Sequence, residues 1–516
     1  MAPRKDVPAN PEVEIGVETE IKLDVPRRWT MPRLEGVGRV ASVDAPQRLM
    51  QSATYLDTLS LDLLRNKHTL RRRTGGTDAG WHLKTPGDGD GRVEHRLPLG
   101  RSAAIVPAEL HALTASIIGG TALVPVAQLR TRRTRRTLCD ADGTALLLVE
   151  DDSVEATTYI DGERIHRWRE VEVEIADGTP EDLAAVQEAL LSKGLTLSDS
   201  ASKLSRALAE PLARLNAGDA DKKKRRTSGE VVLDYIATQI GVLQASEQGL
   251  REDAPDAVHK ARVATRRLRS TFKTYRALLE RTDTDALAEE VKWLTGALGE
   301  PRDAEVMLGR ISTLLDTLEP DLVVDVADQA MRAALESEHT QAHARMVTAL
   351  DSKRYERLMS DLTDLVLHPP LLPAASTPST EGLASLVTKA SRRVVKQADI
   401  AAAMPDGPER DEAIHTIRKF AKAARYAAEA AGKSAGPETK ALAGAWTDLQ
   451  EALGDHQDSV VSRGVIMRLA ADARAKGRDT FTYGVLAERE YASARQVEEH
   501  YGPLLADARA AAAKVG

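Results

Sequence analysis

Apolar and polar positions change period once along this chain, and the change divides it. Up to about residue 205 apolar residues recur at every second position, as on a half-buried strand. In EVEIGVETEIKLDVP, residues 12–26, Val17, Thr19, Ile21 and Leu23 share one face, and Glu12, Glu14, Glu18, Glu20 and Lys22 share the other. Similar patterns predict strands at 14–24, 51–57, 68–74, 80–85, 92–99, 129–138, 145–152, 155–160 and 167–176. Turn signals separate them, among them GG at 75–76, PGDGDG at 86–91, DADG at 140–143 and DG at 161–162. Two helical intervals interrupt, 107–118 and 180–193, with Thr179 or Pro180 in position to start the second.

From residue 230 the apolar residues follow i, i+3, i+4 and i+7, the period of packed helices, in VVLDYIATQIGVL, AVHKARVATRRLRSTFKTYRALL, the segment 286–298 and VADQAMRAALESEHTQAHARMVTAL. The stretch GDADKKKRRTSGE, 218–230, has no apolar period and reads as a solvated tether. The division expected is a domain over 1–210, a linker over 211–229 and a helical domain over 230–516. LHPPLLPAASTPSTEG, 367–382, is too rich in Pro and Ser to be helical, and splits the helical part into about 230–366 and 383–510.

Those two parts repeat each other. The first has His259, Arg262, Arg266, Arg267 and Arg269, then LGEPRD with Gly299 and Asp303. The second has His415, Arg418, Lys419, Lys422 and Arg425, then LGDHQD with Gly454 and Asp458. His to Gly is 40 residues in one and 39 in the other. Matching charges at matching spacing imply a duplicated unit, a helical bundle with a pseudo-two-fold axis.

Composition narrows the setting. A chain of 516 residues with 42% hydrophobic and 29% charged residues is globular, and 3% aromatics leave the cores to Leu, Val and Ala. The net charge of −7 gives no general attraction to nucleic acid or to anionic membranes. One cysteine, Cys139, excludes a disulfide framework and a Cys-rich zinc site. No long apolar run predicts a membrane span and the N-terminus has no signal-peptide pattern, so the cytoplasm is the expected location.

Charge changes the picture of the strands. Glu and Lys are depleted in strands and like charges on neighbouring positions repel. Taken alone, residues 14–24 fit an exposed edge kept from aggregating by charge, or a face that looks onto something. The feature recurs, however: Arg71 with Arg73, His82 with Lys84, Glu94 with Arg96, Glu150 with Asp152, and Glu170 with Glu172 and Glu174. LRTRRTRR offers Arg130 and Arg132 on one face or Arg133 and Arg135 on the other, and parity does not decide between them; Lys203 follows in SASKLSRAL. A sheet buries a charged face on every strand only by closing around a polar interior, with apolar residues outward against helices. Acids cluster on the first and last strands and bases between them. That partition suits a phosphate chain held by Arg and Lys together with hard divalent cations held by carboxylates. In the helical part, His259, Arg262, Arg266, Arg269 and Lys273 form one stripe, as do His415, Arg418, Lys422 and Arg425. No acid lies between Val258 and Lys273 or between Ile414 and Ala428, so the two stripes are expected to meet as an unneutralised anion-binding surface.

ETEIKL (an ExExK motif), the later Arg, Lys and Glu strands, EVEVE and the closing SK together resemble the CYTH, or triphosphate tunnel metalloenzyme, superfamily. HxxRxxxRR, LGEPRD and LGDHQD resemble the CHAD domain, a helical module found beside CYTH domains. The two resemblances cover roughly 12–208 and 225–510. They imply an α+β multidomain chain: an eight-stranded antiparallel β-barrel tunnel followed by a duplicated all-α bundle. They also imply hydrolysis of inorganic triphosphate or a related short phosphate chain with Mg²⁺ or Mn²⁺. The implied metal ligands are Glu18, Glu20, Asp152, Glu170, Glu172 and Glu174. Lys22, Arg71, Arg73, Lys84, Arg96, Arg133 (the better-matching member of its run) and Lys203 are implied phosphate contacts, and Lys22 and Lys203 catalytic cations. In the helical half His259, Arg262, Arg266, Arg269, His415, Arg418, Lys422 and Arg425 are implied to bind polyphosphate, with polyphosphate granules as an associated location. Partners expected are triphosphate and polyphosphate, with no membrane and no specific nucleic acid. The same resemblance admits action on a nucleoside or thiamine triphosphate, adenylate cyclase included, and a non-catalytic polyphosphate-binding protein is the rival reading.

Overall fold

The computed structural model describes residues 14–514, apart from 27, 88–91, 101, 218–225, 325, 406–407 and 437. Glu12 lies outside them. The chain divides into two compact units, Met1–Asp219 and Ala220–Gly516.

In the first unit the alternating stretch 14–24 forms two consecutive strands, β1 (Glu14–Glu18) and β2 (Glu20–Asp24), separated by Thr19. The others are β3 (Ser42–Val43), β4 (Gln47–Asp57), β5 (Thr69–Gly75), β6 (Gly80–Pro86), β7 (Arg92–Leu97), β8 (Val124–Cys139), β9 (Ala145–Thr158), β10 (Arg164–Ile175) and β11 (Thr196–Leu197). Every pairing is antiparallel, in the order β1-β7-β6-β5-β4-β8-β9-β10-β2-β11, with β3 on β8. β1 therefore pairs with β7 at one end of the order while β2 pairs with β10 near the other. With only Thr19 between them, residues 14–24 return the sheet onto itself. Counted as one strand, they close an eight-stranded barrel, to which the two-residue β3 and β11 are appended. The strands expected at 145–152 and 155–160 are a single strand, β9, which pairs with β8 and β10 along almost its whole length; no turn residue pair interrupts it near Ser153.

Helices α1 (Asp62–Arg65), α2 (Ala108–Ile118), α3 (Pro180–Ser192), α4 (Lys203–Ala207) and α5 (Ala209–Asn216) complete the unit. Thr179 and Asp182 form a capping box at the start of α3, with Pro180 in the first turn where its missing N–H costs nothing. The outward residues Leu23, Leu147, Val149, Val171 and Val173 pack with Leu183, Val186 and Leu190 of α3. Leu56, Leu70, Trp81, Leu83 and Leu97 pack with Leu110 and Ile118 of α2. Because apolar residues occupy the outer face, the alternation leaves the charged parity for the interior.

The second unit is helical: α6 (Ser228–Arg251), α7 (Ala257–Thr274), α8 (Arg281–Ala297), α9 (Gly299–Asp316), α10 (Ala327–Leu350), α11 (Lys353–Leu367), α12 (Ser379–Ala402), α13 (Pro408–Ala431), α14 (Glu438–Ala475) and α15 (Phe481–Ala513). α6 opens within the stretch read as a tether, on a capping box between Thr227 and Glu230. α7 ends at Thr274, short of its apolar period, because the chain after it pairs with residues 370–372: Leu372 N–H donates to Leu278 O at 2.9 Å and Glu280 N–H to Pro370 O at 2.8 Å. The Pro-rich break is shorter than expected, since a 3-10 turn covers Pro373–Ser376 and α12 begins directly after Pro378.

One of the two extra helices of the first repeat has a local cause. LGEPRD contains Pro301, whose ring would clash with the Ala297 carbonyl in a continuous helix, and α8 stops at Ala297. LGDHQD lacks that proline, and α14 runs through it for 38 residues.

Candidate active site and anion-binding face

The barrel encloses a cavity of about 360 Å³. Register aligns its wall. Lys22, Glu172, Glu150 and Arg135 lie in one cross-strand row, and Asp24, Glu170, Asp152 and Arg133 in the next. Among the described residues the lining carries nine Lys or Arg side chains against five carboxylates.

Arg133 and Lys203 organise the acidic wall. Arg133 donates to both oxygens of Asp152, at 2.9 and 2.7 Å, and to Glu172 at 3.1 Å, and pairs with Glu150. Lys203, set by the Ser202 cap at the start of α4, reaches Glu172 at 2.6 Å, Glu170 at 2.8 Å and Asp152 at 3.0 Å. Lys22 bridges Glu172 at 2.8 Å and Glu20. Burial by itself would raise the Glu172 carboxyl, but Lys203, Lys22 and Arg133 outweigh it and hold it well below the usual range. Glu20 is lowered too: burial and Glu172 push it up, and Lys22 with Lys84 pull it further down. Glu150 is raised by burial, which Arg133 offsets only in part. Lys22 and Lys203 resist burial because Glu172 and its neighbours keep both above the ordinary lysine value.

The basic wall meets a buried acid, Glu94, which is 1% exposed. Arg96 Nε donates to it at 2.5 Å, His82 lies at 3.1 Å, Arg71 at 3.5 Å and Lys84 at 3.9 Å. Arg71 also donates to the Tyr55 hydroxyl at 3.2 Å. Burial and the adjacent Arg71 push Arg73 down to about 10 although Asp78 pairs with it. Cations crowded to that degree favour a bound polyanion.

Of the residues singled out from the sequence, Glu20, Lys22, Arg71, Arg73, Lys84, Arg96, Arg133, Glu172, Glu174 and Lys203 line the cavity. Asp152 and Glu170 stand behind that lining, held by Arg133 and Lys203. Glu18 sits opposite Arg92 on the β1–β7 ladder, and its side chain lies outside the described residues. The ambiguous arginine run is decided: Arg133 and Arg135 point inward, while Arg130 and Arg132 are exposed. Glu150, Glu94, Arg135 and Tyr55 were not singled out as site residues. Glu150 shares its face with Asp152 and Glu94 with Arg96, so parity was the signal for both.

Glu150, Asp152 and Glu172 each bring one carboxylate oxygen within 4.8 Å of the others, a donor set that fits a hard divalent cation. All three are already paired with Arg133, so a metal entering there takes over carboxylates that a guanidinium now neutralises.

In the helical unit α7 packs against α13, and Tyr275 ties the two by donating its hydroxyl to Ala427 O at 2.7 Å. The two basic stripes converge, but they are not left unneutralised as expected, since acids arrive from other turns and helices. Arg262 donates to Gly299 O at 3.1 Å and to Asp303 at 2.5 Å. Arg267 lies 2.9 Å from Glu429, and Arg425 donates to Glu429 at 2.7 Å and to Gln450 at 3.1 Å. Arg418 lies over Gly454, where an added Cβ would stand 3.5 Å from its guanidinium. Arg266, Arg269 and Lys422 instead line a cavity of about 450 Å³. Arg266 Nε is buried without a hydrogen-bond partner among the described residues. Burial, with Arg418, Arg266 and Arg262 nearby, pushes Lys422 down to about 7. His259 is exposed and His415 half-buried; neither lines that cavity, and burial lowers both imidazoles.

Family models match residues 16–208 as a CYTH domain and residues 234–466 as a CHAD domain. Two uncharacterized proteins of Mycobacterium tuberculosis, from strains CDC 1551 / Oshkosh and H37Rv, are each 35% identical over 500 residues, covering 94% of this chain and 94% of their own. Among solved structures, PptA from Streptomyces chartreusis aligns with a TM-score of 0.46 and 22% identity, over 54% of this chain and 99% of its own. The CHAD domain from the plant Ricinus communis aligns with a TM-score of 0.45 and 23% identity, over 55% of this chain and 93% of its own. Among the described residues no helix is long and apolar enough to cross a membrane.

Proposed function

Because the chain belongs to the family that joins a CYTH domain to a CHAD domain, we propose that its barrel hydrolyses inorganic triphosphate or a related short phosphate chain with Mg²⁺ or Mn²⁺, and that the basic face of α7 and α13 binds polyphosphate. One observation carries the reading: the closed barrel sets carboxylates of β2, β9 and β10 across from cations of β5, β6 and β7.

Glu150, Asp152 and Glu172, with Glu20 beside them, would hold the metal; Glu170 and Glu174 lie on the same strand face as Glu172. The bound ion supplies Lewis-acid polarisation of the phosphate oxygens. Arg71, Arg73, Lys84 and Arg96 clamp the phosphate oxygens as forks and points of charge. Lys22 and Lys203 touch the acidic cluster and line the cavity, so they neutralise charge that develops on the leaving phosphate. Positioning and charge neutralisation are most of what phosphoryl transfer needs.

A bare phosphate chain is favoured over a nucleotide by where the aromatics lie. Trp81 is buried in the outer core, and Trp29 packs there beneath Arg169 at 5.5 Å. Trp168 donates to Glu170 and is covered by Arg206 at 5.3 Å. Among the described residues Tyr55 is the aromatic of the lining, and its hydroxyl is engaged by Arg71.

The test is phosphate release from triphosphate, ATP and long-chain polyphosphate with Mg²⁺ or Mn²⁺, for wild type and Glu172→Gln. Metal-dependent release from triphosphate that falls at least about a hundred-fold in the variant is expected, in line with loss of one transition-state contact. Absence of metal-dependent release from any substrate would overturn the enzyme.

A further inference from the structure

Beside the cavity on the α7–α13 face lies a second, narrower one of about 90 Å³. Lys273, Arg276, Lys389 and Arg393 rim it, and Leu386 and Phe420 line it. The two cavities share Lys273, Arg276 and Ala423, so they adjoin. Lys389 and Arg393 belong to α12, which carries none of the basic residues singled out from the repeat. They are four residues apart and so project from one helix face.

Charge balance separates the two cavities. The larger one includes Asp285 and Glu289 in its lining, while the smaller has four cations and, among the described residues, no carboxylate. None of those four cations has a hydrogen-bond or ion-pair partner among the described residues. Four converging cations without a counter-charge are a local excess of positive potential, which an anion relieves. A cavity of this size admits a phosphoryl group and is too narrow for a nucleoside.

We propose that the phosphate-binding track continues from α7 and α13 onto α12, with Lys273, Arg276, Lys389 and Arg393 forming a subsite for the extension of a linear polyphosphate chain. The inference rests on the polyphosphate reading given above and adds selection for length. From Arg266 to Lys273 the larger cavity alone runs about 10 Å along α7, at ~1.5 Å per residue, and Lys389 and Arg393 lie beyond its shared rim, so a long chain meets more of these cations at once than a triphosphate does.

The test uses the full chain, with long-chain and short-chain polyphosphate titrated against wild type, Lys389→Ser with Arg393→Ser, and Arg266→Ala with Lys422→Ala. Both α12 positions are exposed, so the first double variant keeps its fold. It should bind the long chain about ten-fold more weakly and show a shallower salt dependence, with short-chain affinity unchanged. The second double variant should weaken both. If wild type binds neither length, the polyphosphate reading itself fails. If wild type binds and the α12 variant matches it on the long chain, or loses equally on both lengths, the extension is overturned and the original reading stands. Equal displacement by single-stranded nucleic acid also overturns it.

Discussion

Lys422→Met is predicted to stabilise the helical unit while weakening its hold on polyphosphate. The ammonium of Lys422 faces Arg418, Arg266 and Arg262, with Asp458 as the opposing acid. Burial and those cations bring it from 10.5 to about 7. At ~1.36 kcal/mol per unit the shift corresponds to at most about 5 kcal/mol; water reaching the partly exposed side chain reduces the expected effect to about 2–3 kcal/mol. The sign follows from proton counting. Below pH 7 folded and unfolded chains both carry the proton, and the folded state bears the full cost. Between 7 and 10.5 the unfolded chain holds more protons, so wild-type stability rises with pH relative to the variant. Methionine matches the length of lysine without its charge. Calorimetric melting at pH 6 should therefore place the helical transition of the variant higher by about 3–5 °C. The gap should narrow by more than half at pH 9. Polyphosphate binding at pH 8 should draw in about one proton per site in wild type and none in the variant, read from titration in buffers of different ionisation enthalpy. A variant less stable than wild type at pH 6, or a gap indifferent to pH, would refute the reasoning.

Two further outcomes follow from the ion pairs. Arg133→Met leaves Glu150, Asp152 and Glu172 buried without their shared guanidinium, and should lower the melting stability of the barrel by about 3–5 kcal/mol in the absence of metal. Added Mn²⁺ should recover much of that loss, and a deficit that Mn²⁺ does not touch would count against the three carboxylates as a metal site. Asp303→Asn removes the acid that neutralises Arg262 and should tighten polyphosphate binding about two- to five-fold; weaker binding in a titration would mean that Asp303 positions Arg262 for the anion.

Much of the barrel was legible in the chain because strand parity is a local property. Glu20 and Lys22, Arg71 and Arg73, and Glu170 and Glu172 must share faces whatever the fold, since successive side chains alternate. Seven charged faces in one sheet then left closure as the physical solution. The helix stripes were readable for the same reason, as was the duplication from 259–299 and 415–454. Pro301 even carried part of the difference between the repeats, the break between α8 and α9.

What local periodicity left open was pairing. Whether Arg130 and Arg132 or Arg133 and Arg135 face inward depends on the register of β8 against β9, which sets Arg133 opposite Asp152 and Arg135 opposite Glu150. That β1 and β2, parted only by Thr19, serve the two ends of one sheet is a matter of closure. Neutralisation of the α7 stripe is also non-local: Asp303 lies 41 residues from Arg262, and Glu429 lies 162 from Arg267. Sequence determined which charges share a face, because geometry along the backbone is short-ranged. Tertiary structure alone decided which opposite charge each one meets, and which cations, Arg266 and Lys422 among them, line an open cavity instead.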